Sequence, residues 1–169
     1  MVKVDKKLRE ACFFLSKMVE LSRLAFSDPE EIDFYLSAFL SAERSVDYRL
    51  RQEQKDSYKS FYKSWEYCLP ADERELIKFL IGDRALEVHE SGSNRDEREE
   101  RIPVQRMYRD DSGTAIVSAP PCTPPAEIIK TTFVFQLNGK DEPLIDICTK
   151  YVKLLTRLVE DYRRSAGLT

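Results

Sequence analysis

Apolar residues recur every three or four positions along most of this chain, which is the spacing of helices that bury one face. The spacing predicts five helices, over residues 4–26, 28–55, 56–69, 71–90 and 141–165. Asp28 followed by Pro29 is a typical helix start, because the carboxylate caps free backbone N–H groups and proline fits the first turn. The predicted second helix carries Glu43 inside its apolar stripe.

The stretch between the fourth and the last helix has a different pattern. Residues 91–101 contain no apolar residue, which predicts a mobile charged linker. Alternation over residues 102–108 and 131–137 predicts strands, with 114–118 returning antiparallel to the first strand and Phe133, Phe135 and Leu137 on one face. Four prolines predict an irregular loop over residues 119–126.

These elements predict a mostly α protein of the α+β class. We expect a bundle of four or five helices, with a small antiparallel β element inserted before the C-terminal helix. Residues 1–169 are predicted to form one domain with four parts: a helical core (1–90), a charged linker (91–101), a β insert (102–137) and a C-terminal helix (141–165).

Composition narrows the function classes. A net charge of −3 argues against a uniformly basic nucleic-acid binder but leaves room for a local basic cleft. No apolar run is long enough for a membrane span and no signal peptide is visible, so a cytoplasmic protein is expected. The four cysteines, of which Cys12 and Cys148 are predicted to be core residues, lack C-x-x-C spacing. With a single histidine, no zinc site, other metal site or cofactor is predicted.

One pair of residues stands out as candidate chemistry. Arg84 is followed, after four residues, by His89 near the end of an apolar helix. Histidine titrates near neutral pH and can move protons, whereas arginine stays charged and can hold two phosphate oxygens at once. The pair is therefore suited to metal-free phosphodiester chemistry.

The chain resembles the HEPN family in the stretch 34–46 (FYLSAFLSAERSV), in Asp83-Arg84 and in His89-Glu90. The order of helices is also similar: two long helices, a short one, and one that ends in an Arg-x(4–6)-His motif. The resemblance covers about residues 3–90 and implies a helical bundle that dimerises. Many HEPN domains are metal-independent endoribonucleases in toxin, defence and RNA-processing systems, and others are inactive binding modules.

The resemblance implies a role for each matched residue. Arg84 and His89 match the catalytic pair, and Glu43, Asp83 and Glu90 are supporting candidates. A two-fold dimer through the helix that carries Arg84 would bring two motifs together. RNA or a nucleotide is the expected ligand, and an antitoxin-type protein is a further expected partner. Arg44, Arg49 and Arg51 are the candidate RNA-binding residues.

Each assignment has a structural alternative. Arg84 can instead form an ion pair with Glu43 inside the bundle, and His89 can complement the helix dipole. The three arginines can be a solvated helix face, and Tyr58, Tyr62 and Trp65 can be core residues and not a stacking surface. Ala85 stands where many active members have a polar residue, which favours the alternative of a non-catalytic module that binds RNA, a nucleotide or a protein.

Overall fold

Four helices and five strands make up the part of the chain that the computed structural model describes, which is residues 1–24, 28–89, 95–104, 108–109, 115–116 and 126–168. Side chains are described for these residues except 82–89, 103–104, 108–109, 115–116, 126 and 128. The helices are α1 (Val2–Ser22), α2 (Pro29–Cys68), α3 (Ala71–His89) and α4 (Leu144–Ala166). The strands are β1 (Arg95–Val104), β2 (Tyr108–Arg109), β3 (Ala115–Ile116), β4 (Ala126–Leu137) and β5 (Lys140–Pro143).

Helix α2 begins as predicted and bends where the second and third helices were predicted to meet. The side chain of Asp28 accepts a hydrogen bond from the Glu30 backbone N–H at 2.9 Å, so Asp28 is the N-cap. Lys55 has non-helical backbone angles (φ 9°, ψ −85°), which kinks the helix there. The two predicted helices are therefore two segments of α2, and the described residues form four helices where five were predicted.

Helices α1 and α2 form an antiparallel pair that supplies much of the core. Val4, Ala11 and Met18 of α1 are seven residues apart and fully buried. The N-terminal amine of Met1 lies 2.6 Å from the Glu53 carboxylate, which joins the start of α1 to the far end of the first α2 segment. Cys12 is exposed, so the prediction that it is a core residue is wrong, because one step beyond Ala11 turns a side chain about 100° away from α2.

Helix α4 is the most regular amphipathic helix of the chain. Its predicted buried face is confirmed, since all of the residues assigned to it are buried: Leu144, Ile147, Cys148, Tyr151, Leu154, Leu155, Leu158 and Tyr162. The helix starts at Leu144, three residues later than predicted, because residues 140–143 belong to a strand. None of the helices in the described ranges is long and apolar enough to cross a membrane.

A three-stranded antiparallel sheet in the order β1-β4-β5 precedes α4. The β1–β4 ladder runs from Arg95 opposite Phe135 to Val104 opposite Ala126. The prediction of a mobile linker over residues 91–101 is therefore wrong for 95–101; residues 91–94 lie outside the described residues. Edge strand β1 carries exposed charged side chains, which an edge strand tolerates because it does not need to be buried on either face.

The remaining β elements agree with the predicted strands only in part. Phe133 and Phe135 are buried and Leu137 is partly buried, but Val134 on the other face of the strand is buried as well. The predicted strand over 102–108 is divided, since residues 102–104 end β1, residues 105–107 lie outside the described residues, and residues 108–109 form β2, which pairs antiparallel with β3 through Tyr108 opposite Ile116. The predicted loop over 119–126 lies outside the described residues, except for residue 126, which begins β4. With its helices and small sheet, the protein is mostly α in the α+β class, as predicted, and the single-domain assignment stays a prediction.

Candidate functional site

Two carboxylates lie buried on one side of α2, a single helical turn apart. Glu43 is 1% exposed and Asp47 is 8% exposed. Residues four apart on a helix are neighbours on the same face. This face points toward α3 and α4, so both acids sit between three helices. Buried carboxylates need hydrogen-bond donors or cations nearby, because removing a charge from water is costly.

The donors around Asp47 come from α2 itself. The Tyr58 hydroxyl donates to Asp47 Oδ1 at 2.8 Å, and Arg51 Nε donates to Oδ2 at 2.7 Å. Arg44 Nη1 lies 3.5 Å from the same Oδ2. Burial and the neighbouring Asp47 charge raise the pKa of Tyr58, so its hydroxyl stays protonated and available as a donor. The Asp47 carboxylate is therefore held on both oxygens.

Glu43 faces Tyr151 of α4. Burial is the main cause that raises the pKa of the Tyr151 hydroxyl well above its ordinary value, and the charge of Glu43 and a hydrogen bond with Glu43 raise it further. A cavity of about 20 Å³ lies against Glu43, Asp47 and Tyr151. This volume is enough for one water molecule. Tyr151 thus ties α4 to the acidic pair on α2.

Helix α3 covers this acidic pair. Ile77 and Ile81 of α3 line the same cavity as Glu43. Arg84 comes seven residues after Ile77 in the same unbroken helix, so ideal helix geometry puts the two positions within about 20° of one another around the axis. Position 84 therefore falls on the same side of α3 as Ile77, about two turns further along the helix.

The predicted catalytic positions both lie on α3, as expected from the sequence. His89 is its last residue, and it stands about 140° around the axis from Arg84. The side chains of Asp83, Arg84 and His89 and the whole of Glu90 lie outside the described residues. The catalytic pairing and the ion pair between Arg84 and Glu43 therefore stay predictions.

The three candidate RNA-binding arginines do not form one patch. Arg44 and Arg51 are seven residues apart, share a side of α2 and both contact Asp47. Arg49 is five residues after Arg44, which turns it about 140° away. Arg44 and Arg51 are nonetheless only partly buried, so each keeps N–H groups within reach of solvent.

The aromatic residues of the second α2 segment are mainly core residues. Tyr58 is fully buried, and its ring lies 5.8 Å from that of Tyr62 and 5.3 Å from that of Tyr162. Trp65 Nε1 donates to Asp161 Oδ2 at 3.1 Å, which fixes the indole against α4. These contacts favour the structural alternative, in which Tyr58, Tyr62 and Trp65 are core residues and not a surface on which bases stack.

Sequence reasoning missed Asp47 and Tyr151 as members of the buried cluster. Asp47 carries a detectable signal, since it follows Leu40 by seven residues on a row that is otherwise buried. Tyr151 gives no comparable signal, because a tyrosine in an apolar stripe is ordinary. Among the described side chains, no three His, Cys, Asp or Glu residues come close enough together to hold a metal ion.

No protein-family model, curated protein or solved structure matches the chain. The HEPN resemblance, and the site roles that it implies, therefore stay predictions. A functional assignment depends on the residues themselves and on their arrangement around α3.

Proposed function

We propose that this protein is a metal-independent endoribonuclease of the HEPN type, in which Arg84 and His89 act on RNA and two copies combine their motifs. One observation supports this proposal above the others. A single unbroken helix, α3, carries both positions and packs with Ile77 and Ile81 against the buried Glu43 region. Catalytic groups need such a rigid support to hold their geometry.

The proposed reaction uses two proton-transfer groups and one cation that stabilises charge on the phosphate. One basic group removes the proton from a ribose 2′-hydroxyl, whose oxygen attacks the adjacent phosphorus, and an acidic group protonates the leaving 5′-oxygen. The products are a 2′,3′-cyclic phosphate and a 5′-hydroxyl, so no water is consumed. Histidine suits the proton transfers, and arginine stabilises the charge that develops on the phosphate oxygens.

A second copy supplies the second proton-transfer group. The chain has one histidine, whereas the reaction uses one group that accepts a proton and one that donates a proton. In a two-fold dimer each copy contributes the same residues to a shared cleft. His89 of one copy would act as the base and His89 of the other as the acid.

The buried cluster would serve as a support for this chemistry. Asp47 is held by Tyr58 and Arg51, and Glu43 is linked to Tyr151, so α2 and α4 are tied together beneath α3. Arg44 and Arg51 are partly exposed at the edge of the cluster and can add positive charge for an RNA strand.

The test is cleavage of single-stranded RNA in the presence of EDTA. We expect shorter products that carry 2′,3′-cyclic phosphate ends, because the attacking group is the neighbouring 2′-hydroxyl. Products with 5′-phosphate ends, or activity that EDTA abolishes, would contradict the proposal. The products can be distinguished by mass spectrometry of the RNA ends.

The second candidate is a non-catalytic HEPN-like module that binds RNA, a nucleotide or a protein partner. The arrangement of Arg44 and Arg51 favours it, since both arginines are engaged by Asp47 in a way typical of a structural network. Ala85, beside Arg84, also lacks a polar side chain. RNA binding measured by fluorescence anisotropy, without cleavage of several different RNAs, would support this candidate against the enzyme.

A further inference from the structure

A groove with a volume of about 740 Å³ lies where three elements of the fold meet. These elements are the beginning of α3, the turn between β4 and β5 with β5 itself, and the first half of α4. Leu76, Leu137 and Leu154 form the apolar part of its lining. Sites for small molecules commonly have volumes of about 300–1,000 Å³. The groove is therefore large enough for a metabolite, whereas the cavity beside Glu43 is large enough only for water.

Polar contacts tie the β4–β5 hairpin to both helices at the edge of this groove. Asn138 Nδ2, in the turn, donates a hydrogen bond to Glu75 Oε2 of α3 at 2.9 Å. Lys150 Nζ of α4 lies 3.8 Å from Glu142 Oε2 of β5. The hairpin is thus held at its tip by one helix and along its second strand by the other.

Helix α4 gives the groove a basic wall. Lys150, Lys153 and Arg157 line it and lie within about 60° of one another around the helix axis. Arg157 also donates a hydrogen bond to Glu73, which joins α4 to the first turn of α3. Lys153 lies between the other two cations along the axis, so its amino group belongs to the middle of the wall.

Two cations of the groove have no acidic partner to neutralise them. Lys140, the first residue of β5, and Lys153 both line the groove and are exposed. Within the described part of the chain, neither of them forms an ion pair, unlike Lys150 and Arg157. A lysine ammonium group binds phosphate as a point charge. Two such groups on different elements can hold one anionic group from two sides.

Acidic side chains limit the kind of anion that fits. Asp72, Glu73 and Glu142 line the same groove. A nucleic-acid strand would carry a phosphate every few ångströms past these carboxylates, and like charges repel. A small molecule with one anionic group avoids that repulsion, and hydroxyl groups on its body can donate hydrogen bonds to a carboxylate. The lining therefore favours a small polar molecule with one phosphate over a polyanion.

We propose that this groove binds a small phosphate monoester with a hydroxyl-bearing body, of the size of a sugar phosphate. The phosphate lies between Lys140 and Lys153, and hydroxyl groups of the body donate to Asp72. The site is distinct from the proposed catalytic motif, because Asp72 precedes Arg84 by twelve residues, or about 18 Å along α3. Binding at this site does not depend on RNA cleavage.

Calorimetric titration with ribose 5-phosphate, ribose and inorganic phosphate tests the class of ligand. We expect ribose 5-phosphate to bind with a Kd on the order of 0.1–1 mM, inorganic phosphate to bind roughly 10-fold more weakly, and ribose not to bind. Inorganic phosphate or ribose that binds as tightly as the ester, or an ester that fails to bind at about 10 mM, would overturn the proposal. A short single-stranded RNA that displaces the ester and binds more tightly would also overturn it, in favour of a path for RNA.

Variants test the position of the site. Lys153→Gln and Lys140→Gln should each raise the Kd of ribose 5-phosphate by roughly 10-fold, because each removes a charged donor to the phosphate. Lys6→Gln, the same change at an exposed position of α1, is the matched control and should leave the Kd unchanged. Glu142→Gln should lower the Kd, because it removes negative charge from the lining and frees Lys150. Equal Kd values for Lys153→Gln and Lys6→Gln, or a higher Kd for Glu142→Gln, would overturn the assignment of the site.

Discussion

Tyr58 donates a hydrogen bond to Asp47 at 2.8 Å across the kink at Lys55. In a straight helix two residues eleven positions apart would be separated by about 16 Å along the axis. The kink therefore brings the second α2 segment back onto the first and gives a buried carboxylate its donor. This contact links the shape of α2 to the charged cluster beneath α3.

Removal of the Tyr58 hydroxyl should destabilise the protein. Tyr58→Phe keeps the ring contacts but leaves an oxygen of Asp47 without its donor, at a cost of about 1–3 kcal/mol. Urea unfolding measures the loss. Tyr67→Phe is the matched control, since Tyr67 is 80% exposed. Equal stability of the two variants would show that the Tyr58–Asp47 hydrogen bond contributes nothing.

The free energy of unfolding should fall in alkaline solution, and part of the fall should come from the titration of Tyr62. Burial, followed by the charge of Glu66, raises the pKa of Tyr62 to about 12. A tyrosine in the unfolded chain titrates near 10. The folded state therefore holds this proton more tightly, so the contribution of Tyr62 is complete below about pH 10 and is lost as the pH rises toward about 12.

Urea midpoints measured from about pH 8 to about pH 11 test this dependence. Tyr62→Phe should flatten the alkaline decline, whereas the exposed-site variant Tyr67→Phe should follow the wild type. A decline as steep in Tyr62→Phe as in the wild type would exclude Tyr62 as a source.

The expected ion pair between Arg84 and Glu43 can be tested by a double-mutant cycle. If Glu43 depends on Arg84, then Arg84→Ala should cost roughly 3–5 kcal/mol, because it leaves a buried charge without its cation. Glu43→Gln in the same protein should recover part of that loss, giving a coupling energy of about 1 kcal/mol or more. Lys78→Ala, at an exposed position of α3, is the control. Coupling near zero would rule out the pair.

Periodicity predicted most of the helical fold because the buried faces of α2 and α4 follow regular spacing. The start of α2 at Asp28-Pro29 and its break near Lys55 were also visible. The part of β1 over residues 95–101 was missed, since its charged residues gain their pairing from β4 and not from a buried face. The turn at Asn138-Gly139 has φ of 53° and 73°, and Asn-Gly is a strong hairpin signal, so this turn explains why β5 pairs with β4.

The candidate site was only partly predictable. Glu43 could be recognised as a charged residue in an apolar stripe. The Asp47–Tyr58 contact could not be predicted, because the two residues are too far apart along a straight helix and meet only through the kink. The separation of Arg49 from Arg44 and Arg51 follows from helix geometry and was predictable in principle. The contact between Tyr151 of α4 and Glu43 of α2 could not be predicted, because it depends on how the two helices pack against each other.

Cleavage by a His89→Ala variant tests the central claim most directly. The wild type and the variant are incubated with single-stranded RNA in EDTA, and RNA ends with a 2′,3′-cyclic phosphate are counted. The Lys78→Ala protein serves as the control, and circular dichroism confirms that each variant is folded. We predict that His89→Ala lowers the rate by about 10²- to 10⁴-fold, because a proton-transfer group is lost. An unchanged rate in a folded His89→Ala protein, or no cleavage of any RNA by the wild type, would contradict the claim.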